Sequence, residues 1–383
     1  MEKEVGRRMT GLVLALLLGI LAALAVEQRR VLRARKALSH VVYVNGIRGK
    51  STVTRLIDAG LRGGGRKVFC KTTGTLPMTI GVDNVERPLR RPGRANIKEQ
   101  LQILQRAARE QAEILVLECM AVDPQLQYVT QHRMLHADIG VITNVRLDHT
   151  AEMGETLEEI CDSLSNTIPK DGILFTADET FYPRLRRNGE RLGCRTELAL
   201  PTGEEPNIDF PENLALALAV CRHLGVSEED ALRGMSRYQR DPYALSVHRM
   251  GKGFFVNGMS INDPQSTQIV YRRLAAQFGW DKEALTLLIN NRPDRGYRTE
   301  HMVMVAAALQ PREIWLTGAS QLTVSHRILG AVPGVTLRRF ARAQQLPLAE
   351  LEEGHVIFAV GNVAGPGHEI MKRVREEGET YVP

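Results

Sequence analysis

A glycine-containing loop near residue 46 carries the clearest chemistry in the sequence. Residues 45–52 read NGIRGKST, after an apolar run typical of a strand and before a helical stretch. Glycines allow backbone N–H groups to curl around phosphate oxygens, and a helix N-terminus adds positive potential. Lys50 would bridge the β- and γ-phosphates of a nucleotide, and the Ser51 hydroxyl would bind Mg²⁺. Val44 stands where the longer phosphate-loop pattern has glycine, so a plain glycine turn is the alternative.

Acidic and histidine side chains follow two further apolar runs. Glu118 ends the run ILVLE, and Asp148 and His149 come shortly after the run at 138–143. The carboxyl ends of parallel strands meet at one edge of an open sheet, which is where ligands bind. Glu118 and His149 could therefore bind a metal beside the loop, with Asp148 fixing the imidazole tautomer. A solvent-facing glutamate and a polar turn are the alternatives.

Two polar segments between residues 71 and 98 could contact an anionic group. Residues 71–75 read KTTGT past a strand, where the hydroxyls of Thr73 and Thr75 could meet a carboxylate or a γ-phosphate. A denser basic run follows, made up of Arg87, Arg90, Arg91, Arg94 and Lys98. Asn96 and Glu99 are weaker candidates in the same region. A polar turn and a solvated loop are the alternatives for the two segments.

These residues must be positioned by a series of strands alternating with helices. Continuous apolar runs bounded by polar turns predict an α/β fold with a parallel sheet covered on both faces. The first series has strands at 40–46, 67–70, 113–119, 138–143 and 172–177, and helices near 97–110, 155–167, 210–223 and 227–236. The second has strands at 253–258, 284–290, 313–318 and 355–362, and helices near 266–277, 298–309 and 366–376. A break near 240–253 predicts one α/β domain at 39–245 and a smaller α/β domain at 246–383.

The first 38 residues form a separate segment. Residues 9–26 contain no charge and, as a helix, would span about 27 Å, close to a hydrocarbon core of roughly 30 Å. Five basic residues follow this stretch and three precede it, which predicts a membrane anchor with the rest of the chain in the cytoplasm. A signal peptide cleaved near Ala23-Leu24-Ala25 and a buried core helix are the alternatives.

Composition excludes several other classes of protein. The formal net charge is +6, but residues 1–38 hold 8 basic and 3 acidic residues, so the excess belongs almost entirely to the anchor. A nucleic-acid partner is therefore not expected. The 5 cysteines are widely spaced and form no C-x-x-C pair, which argues against disulfides or structural zinc and agrees with a reducing compartment.

Together these motifs resemble the ATP-binding core of Mur-type amide ligases, a superfamily that includes folylpolyglutamate synthase. Within it, the chain is most similar to the ligase subunits of poly-γ-glutamate synthases, the PgsB/CapB family. The shared motifs are VNGIRGKSTVTRLI, KTTGT, ANIKEQ, ECMAV, the DH-x-x-x-MG-x-T segment, RPDR and GNVAGPGHE. The resemblance covers nearly the whole chain. It implies a Mur-ligase-like central domain with a mostly parallel sheet, followed by a Rossmann-like C-terminal domain.

The resemblance also implies roles for individual residues. The ATP phosphates would be bound by Gly46, Gly49, Lys50, Ser51 and Thr52. Mg²⁺ would be bound by Ser51, Glu118 and His149. The nucleotide would be contacted from the C-terminal domain by Asn262, Asp263 and Thr267. A domain-interface motif of Arg292, Asp294 and Arg295 would close over the ATP, with Arg295 joining Lys50, Glu118 and His149 in catalysis. The carboxylates of a γ-glutamyl chain would be met by Thr73, Thr75, Arg87, Arg90, Arg91 and Arg94.

One position departs from the pattern of the related ligases. They have a lysine, often carbamylated as a metal bridge, about fifteen residues after the histidine. Leu164 occupies that place here, and the nearest lysine is Lys170. A second metal site is therefore in question.

The expected function is an ATP- and Mg²⁺-dependent amide ligase anchored in the cell membrane by a single pass. Its substrates would be glutamate and the growing poly-γ-glutamate, joined through a γ-glutamyl phosphate. The resemblance further implies small membrane subunits of a synthase or export complex as partners. A membrane-tethered phosphate-loop NTPase and a nucleotide-binding scaffold subunit are the alternatives.

Overall fold

The computed structural model describes residues 2–74, 76–91, 93, 95–203, 210–241, 243–261, 263–292 and 297–382. The chain divides into two compact units. Unit 1 consists of Met1–Val145 and His149–Tyr238, and unit 2 consists of Arg146–Asp148 and Gln239–Pro383. Both units contain one sheet with helices, so the predicted α/β class is confirmed.

Unit 1 is built on an eight-stranded sheet of order β4-β3-β2-β5-β1-β6-β7-β8. The neighbouring strands from β2 to β8 in this order are all paired in parallel, whereas the pairs β2–β3 and β3–β4 are antiparallel. The strands are β1 (His40–Asn45), β2 (Val68–Thr72), β3 (Met78–Ile80), β4 (Glu86–Pro88), β5 (Ile114–Glu118), β6 (Ile139–Ile142), β7 (Ile173–Thr176) and β8 (Arg195–Leu198).

The helices of unit 1 cover both faces of this sheet, because the residues of β1 alternate between two apolar clusters. Val42 and Val44 belong to one cluster, and Val41 and Tyr43 belong to the other. A strand buried on both faces needs a continuous apolar run, which is what the sequence shows. The helices are α1 (Glu2–Ala37), α2 (Lys50–Gly63), α3 (Lys98–Arg109), α4 (Pro124–Val129), α5 (Thr150–Met153), α6 (Leu157–Ser165), α7 (Tyr182–Glu190), α8 (Pro211–His223) and α9 (Glu228–Met235), with a π-helical turn at Thr130–Leu135.

The β3–β4 hairpin was not expected from the sequence. Each of its strands has only three residues, which is too short for a clear alternating pattern. Pro88 is tolerated because β4 is an edge strand and needs no N–H donor on its open side. Arg87 therefore lies in a strand and not in the solvated loop that was the alternative to its predicted substrate contact.

Helix α1 joins the apolar N-terminal segment to unit 1 without a break. Its span Gly11–Ala37 is long and apolar enough to cross a membrane, by length and composition. At its C-terminal end Val31, Ala34 and Leu38 are buried in the cluster that also contains α3. Arg35 donates to the Asp138 carboxylate at 2.8 Å and to the carbonyl oxygen of His136 at 3.0 Å. The end of α1 is therefore part of the folded core.

Unit 2 is built on a seven-stranded sheet of order β13-β12-β11-β14-β10-β9-β15. Strands β10 to β14 are parallel, and β9 and β15 extend the sheet at one edge through the antiparallel pairs β10–β9 and β9–β15. Strand β9 lies where the sequence indicated a break, because the short hairpin turn at Gly251 (φ +56°) interrupts the apolar pattern. The strands are β9 (Ser246–Met250), β10 (Gly253–Asn257), β11 (Leu285–Asn291), β12 (Glu313–Gly318), β13 (Thr336–Arg339), β14 (Val356–Gly361) and β15 (Glu379–Val382). The helices are α10 (Pro264–Phe278), α11 (Tyr297–Leu309), α12 (Gln321–Ala331) and α13 (Pro366–Glu377).

We predict that Leu38→Ala destabilises unit 1 by about 2–4 kcal/mol, because it leaves a cavity in a packed core. Leu38, which directly follows α1, is 3% exposed, whereas Leu32 in α1 is 40% exposed. Leu32→Ala is the matched control and is expected to change stability by less than about 1 kcal/mol. Urea unfolding of the detergent-solubilised protein measures both. Equal midpoints for the two variants would contradict the docking of α1.

Candidate active site

The phosphate loop lies between the end of β1 and the start of α2, as the sequence predicts. Gly46 has φ +124° and Gly49, the N-cap of α2, has φ +81°. A Cβ on Gly46 would collide with the Thr143 hydroxyl, and one on Gly49 would lie 2.6 Å from the Asn213 Oδ1. Only glycine therefore fits either position, for reasons of both space and backbone conformation.

The loop is fixed by the segment that follows β6, the strand next to β1. Thr143 Oγ1 and Asn144 Nδ2 donate to the carbonyl oxygen of Arg48 at 2.6 and 3.1 Å. The backbone N–H of Arg48 donates to Asn144 Oδ1 at 3.0 Å. These two anchoring side chains were not predicted from the sequence, although two polar residues directly after a buried strand were the available signal.

Lys50 begins α2 and lies over the loop. Its Nζ donates to the carbonyl oxygen of Gly46 at 2.7 Å and to that of Ile47 at 3.3 Å. Thr52 follows in the first turn of α2, where both it and Ser51 are half-buried.

Glu118 ends β5 and is buried beside the loop. The parallel register pairs Glu118 with Val44 of β1, one residue before the strand ends. One oxygen of Glu118 (Oε2) accepts hydrogen bonds from Ser51 Oγ at 2.9 Å and from the backbone N–H of Thr73 at 2.6 Å. The structure therefore brings together Ser51 and Glu118, two of the three residues that the sequence proposed for Mg²⁺, and Thr73 of the KTTGT segment.

A cavity of about 200 Å³ opens at this edge of the sheet. Its wall includes the phosphate loop, the segment after β5, and the predicted residues Lys50, Thr73, Arg91 and His149. The described lining residues are Asn45, Gly46, Ile47, Lys50, Thr73, Arg91, Ala95, Cys119, Met120, Ala121, Val122, His149 and Met153. Burial raises the pKa of the Cys119 thiol, so this residue is a neutral part of the wall.

The residues present suit Mg²⁺ in one site. Mg²⁺ is usually bound through one or two carboxylates together with substrate phosphates and water, and the Glu118 carboxylate and Ser51 hydroxyl are such donors. In the described part of the chain no three His, Cys, Asp or Glu side chains are grouped to hold a metal by themselves. Leu164 is fully buried in an apolar cluster with Ile160 and Cys161, so this position supplies no ligand.

A buried charged cluster adjoins the cavity at the end of β2. Lys71 Nζ lies 2.8 Å from Glu99 Oε1, and Arg91 binds both oxygens of Glu99, with Nε at 2.6 Å and Nη2 at 3.0 Å. Burial lowers the pKa of Lys71, and Glu99 opposes this effect. Burial alone would raise the pKa of Glu99, but Arg91 and Lys71 outweigh it and lower that pKa. Sequence reasoning gave Lys71 no role because its partners are distant in the chain.

The other predicted basic residues lie elsewhere. Arg87 binds Asp83 with both terminal nitrogens, at 3.1 and 2.6 Å, on the exposed β3–β4 hairpin. Arg90 is exposed, and neither residue is among the described residues that line the cavity. Thr75 and Arg94 lie outside the described residues.

In unit 2 the predicted motif surrounds the start of α10. The Asp263 side chain accepts the backbone N–H of Ser266 at 2.7 Å and caps the helix. Thr267 Oγ1 donates to the carbonyl oxygen of Asp263 at 2.7 Å, and both residues are buried. Arg292 is half-buried after β11. Asn262, Asp294 and Arg295 lie outside the described residues.

Comparison with known proteins identifies the family. A family model of the Mur ligase middle domain matches residues 44–208, and one of the poly-gamma-glutamate synthase CapB C-terminal domain matches residues 243–377. The capsule biosynthesis protein CapB of Bacillus anthracis is 33% identical over 370 residues, covering 92% of this chain and 80% of that protein. The PGA synthase CapB of Bacillus subtilis (strain 168) is 33% identical over 380 residues, covering 94% of this chain and 95% of that protein. The chain belongs to the CapB family of poly-γ-glutamate synthases.

As a member of the CapB family, the chain is an ATP-dependent ligase that forms C–N bonds, which confirms the predicted enzyme class. The fold agrees with a solved structure, the bifunctional folylpolyglutamate synthase/dihydrofolate synthase of Yersinia pestis complexed with AMPPNP and a Mn ion. That structure aligns with a TM-score of 0.69 over 90% of this chain and 92% of its own, at 16% identity. The predicted Mur-ligase-like α/β architecture is thereby confirmed.

We predict that Gly46→Ala weakens ATP binding by about 10- to 100-fold, because the strained backbone and the collision with Thr143 displace the loop. Isothermal titration with AMPPNP measures the affinity. Gly330→Ala is the control, since its Cβ would meet nothing within 4 Å. Unchanged affinity of Gly46→Ala would contradict the assignment of this loop to phosphates.

Proposed function

We propose that the chain is the ligase that polymerises glutamate into poly-γ-glutamate through a γ-glutamyl phosphate. The observation that carries this proposal is the hydrogen bond from Ser51 to the buried Glu118, which also accepts from Thr73, a residue that lines the same cavity as Lys50 and Arg91. One site then offers groups for the phosphates, the metal and a substrate carboxylate. The names of the two CapB relatives and the nucleotide and Mn ion in the Yersinia pestis structure support it.

The chain's own residues bind and orient ATP. The backbone N–H groups of Gly46 and Gly49 would surround the phosphates, and Thr52 would support them from the first turn of α2. The Lys50 ammonium, which donates to the carbonyl oxygens of Gly46 and Ile47, would instead bind the β- and γ-phosphates when ATP is present. Ser51, Glu118 and His149 would hold Mg²⁺, which would neutralise the charge on the phosphates.

The reaction consists of two displacements. An oxygen of the substrate's γ-carboxylate attacks the γ-phosphorus, the bond to the β-phosphate oxygen breaks, and ADP leaves. The amine of another glutamate then attacks the acyl carbon, the C–O bond to phosphate breaks, and the amine loses a proton as the amide forms. Lys50 and the aligned loop contribute by positioning and charge neutralisation, which supply most of the catalysis in phosphoryl transfer.

Asp263 and Thr267, with Asn262, are proposed to contact the nucleotide. Arg292, Asp294 and Arg295 are proposed to close over the ATP, which would exclude water from a readily hydrolysed acyl phosphate.

We further propose that α1 anchors the enzyme as a single pass in the cell membrane, with both units in the cytoplasm. The helix continues from the apolar segment into the core of unit 1, and basic residues follow the segment directly. The growing polymer would pass to small membrane subunits of a synthase or export complex.

We predict that the purified, detergent-solubilised protein releases phosphate from ATP only when glutamate or short γ-glutamyl oligomers are present. L- and D-glutamate are tested separately with Mg²⁺, and the γ-linked product is followed by mass spectrometry. Lys50→Ala should lower the rate by about 10²- to 10³-fold, because it removes a cation aimed at the transferred phosphate. Lys67→Ala, at an exposed lysine, is the control.

The outcomes separate this function from its alternatives. ATP hydrolysis that is indifferent to glutamate would indicate an NTPase. Absence of turnover even after membrane partners are added back, with equal behaviour of Lys50→Ala, would indicate a scaffold.

We predict that Glu118→Gln raises the Mg²⁺ concentration needed for half-maximal rate and lowers the maximal rate by about 10²-fold or more. The carboxylate would lose its charge while keeping its shape and its place beside Ser51. Rates measured across a Mg²⁺ titration at saturating ATP test this. Glu158→Gln, at an exposed position of α6, should match the wild type. A Glu118→Gln enzyme with an unchanged Mg²⁺ dependence would remove Glu118 from the metal site.

A further inference from the structure

The charged cluster of Lys71, Glu99 and Arg91 has an unusual burial pattern. The Lys71 side chain is fully buried, Glu99 is 10% exposed, and Arg91 is 24% exposed. Burying a lysine is costly unless a carboxylate compensates it. Arg91 is the only one of the three described side chains in the cluster that lines the cavity. Side-chain exposure therefore increases from Lys71 through Glu99, which binds both cations, to Arg91 at the cavity wall.

The geometry restricts the guanidinium of Arg91. Two of its three nitrogens bind the two oxygens of Glu99, which is the bidentate arrangement that fixes a guanidinium plane. Glu99 is fixed in turn, because Lys71 contacts the same oxygen (Oε1) that Arg91 Nη2 contacts. The third nitrogen, Nη1, has no hydrogen bond to a described residue and remains available to a ligand.

The charge of the cluster favours an anionic ligand. It contains two cations and one carboxylate, and the cavity wall adds Lys50. An excess of positive charge in a partly desolvated site attracts a carboxylate or a phosphate. The phosphate loop already provides for the phosphates, so a carboxylate is the ligand left for Arg91.

The cluster is also linked to the metal carboxylate. Lys71 Nζ donates to Gln100 Oε1 at 3.3 Å, and Gln100 Nε2 donates to the carbonyl oxygen of Glu118 at 3.1 Å. Two residues after Lys71, the backbone N–H of Thr73 donates to the Glu118 side chain. The end of β2 therefore fixes the position of Arg91 relative to Glu118.

We propose that Lys71 and Glu99 are positioning residues that fix Arg91 so that it binds the α-carboxylate of the glutamyl residue whose γ-carboxyl is activated. This inference rests on the proposed function, because it concerns the same site. It explains why a lysine is buried at the end of β2. It also gives the site a means of rejecting substrates that lack this carboxylate.

The test compares two ligands in the presence of AMPPNP and Mg²⁺. One is γ-glutamyl-glutamate, and the other is the same dipeptide with the α-carboxylate of its C-terminal residue converted to an amide. Dissociation constants are measured by isothermal titration for the full-length, detergent-solubilised protein. The wild type should bind the acid about 10- to 100-fold more tightly than the amide, as expected for a charge-assisted pair.

Four variants test the role of the cluster. Arg91→Gln should bind the acid and the amide equally, with a dissociation constant close to that of the wild type for the amide. It leaves the Lys71–Glu99 pair intact, so that folding is preserved. Glu99→Gln and Lys71→Met should each reduce the preference at least 3-fold, with AMPPNP affinity unchanged. Glu110→Gln is the matched control, because it makes the same change at the C-cap of α3 and its partner Arg106 is not among the residues lining the cavity. Thermal unfolding of each variant verifies that it is folded.

Two results would overturn the inference: a wild type that binds acid and amide equally, or an Arg91→Gln variant that keeps the full preference. A preference that disappears in Arg91→Gln but is unchanged in both Glu99→Gln and Lys71→Met would overturn the positioning roles. The proposed function is tested separately by product formation. A wild type that forms γ-glutamyl bonds without the preference contradicts only this inference, whereas one that forms none contradicts the function.

Discussion

The buried carboxylate of Glu118 is the interaction on which the rest of the site depends. Its oxygen accepts from the Ser51 hydroxyl, in the first turn of α2, and from the backbone N–H of Thr73, just past β2. A buried charge must be compensated by hydrogen bonds or by a cation, and two donors from two other segments meet part of that requirement. The arrangement exists only because β1, β2 and β5 are parallel neighbours whose carboxyl ends coincide.

The sheet can supply this edge because its two faces are covered independently. The residues of β1 alternate between two apolar clusters, and α1 contributes Val31 and Ala34 to one of them. A helix that is long and apolar enough to cross a membrane is thus part of the same core that aligns the strands. Changes at the end of α1 would act on the site through strand alignment, without any contact with ATP.

Local pattern was sufficient to predict the strands that form the edge, since long apolar runs followed by glycine or acidic residues are unambiguous. The positions of the loop glycines and Glu118 in the sequence therefore located the site. The β3–β4 hairpin was missed because strands of three residues are too short to show the alternation of apolar and polar residues that identifies a strand. The contacts of Thr143 and Lys71 were missed for a different reason, since each depends on partners from distant segments that meet only in the folded chain.

Arg87 and Arg91 show why a basic run cannot be interpreted from composition alone. Both form bidentate pairs with a carboxylate, at similar distances. Arg87 is 44% exposed with a half-exposed partner, so water screens the pair and it contributes little. The partner of Arg91 is 10% exposed and is itself bound to a buried lysine, so its geometry is fixed. Burial of the partner, rather than the presence of arginine, distinguishes a residue suited to recognise a substrate from one on a solvated hairpin.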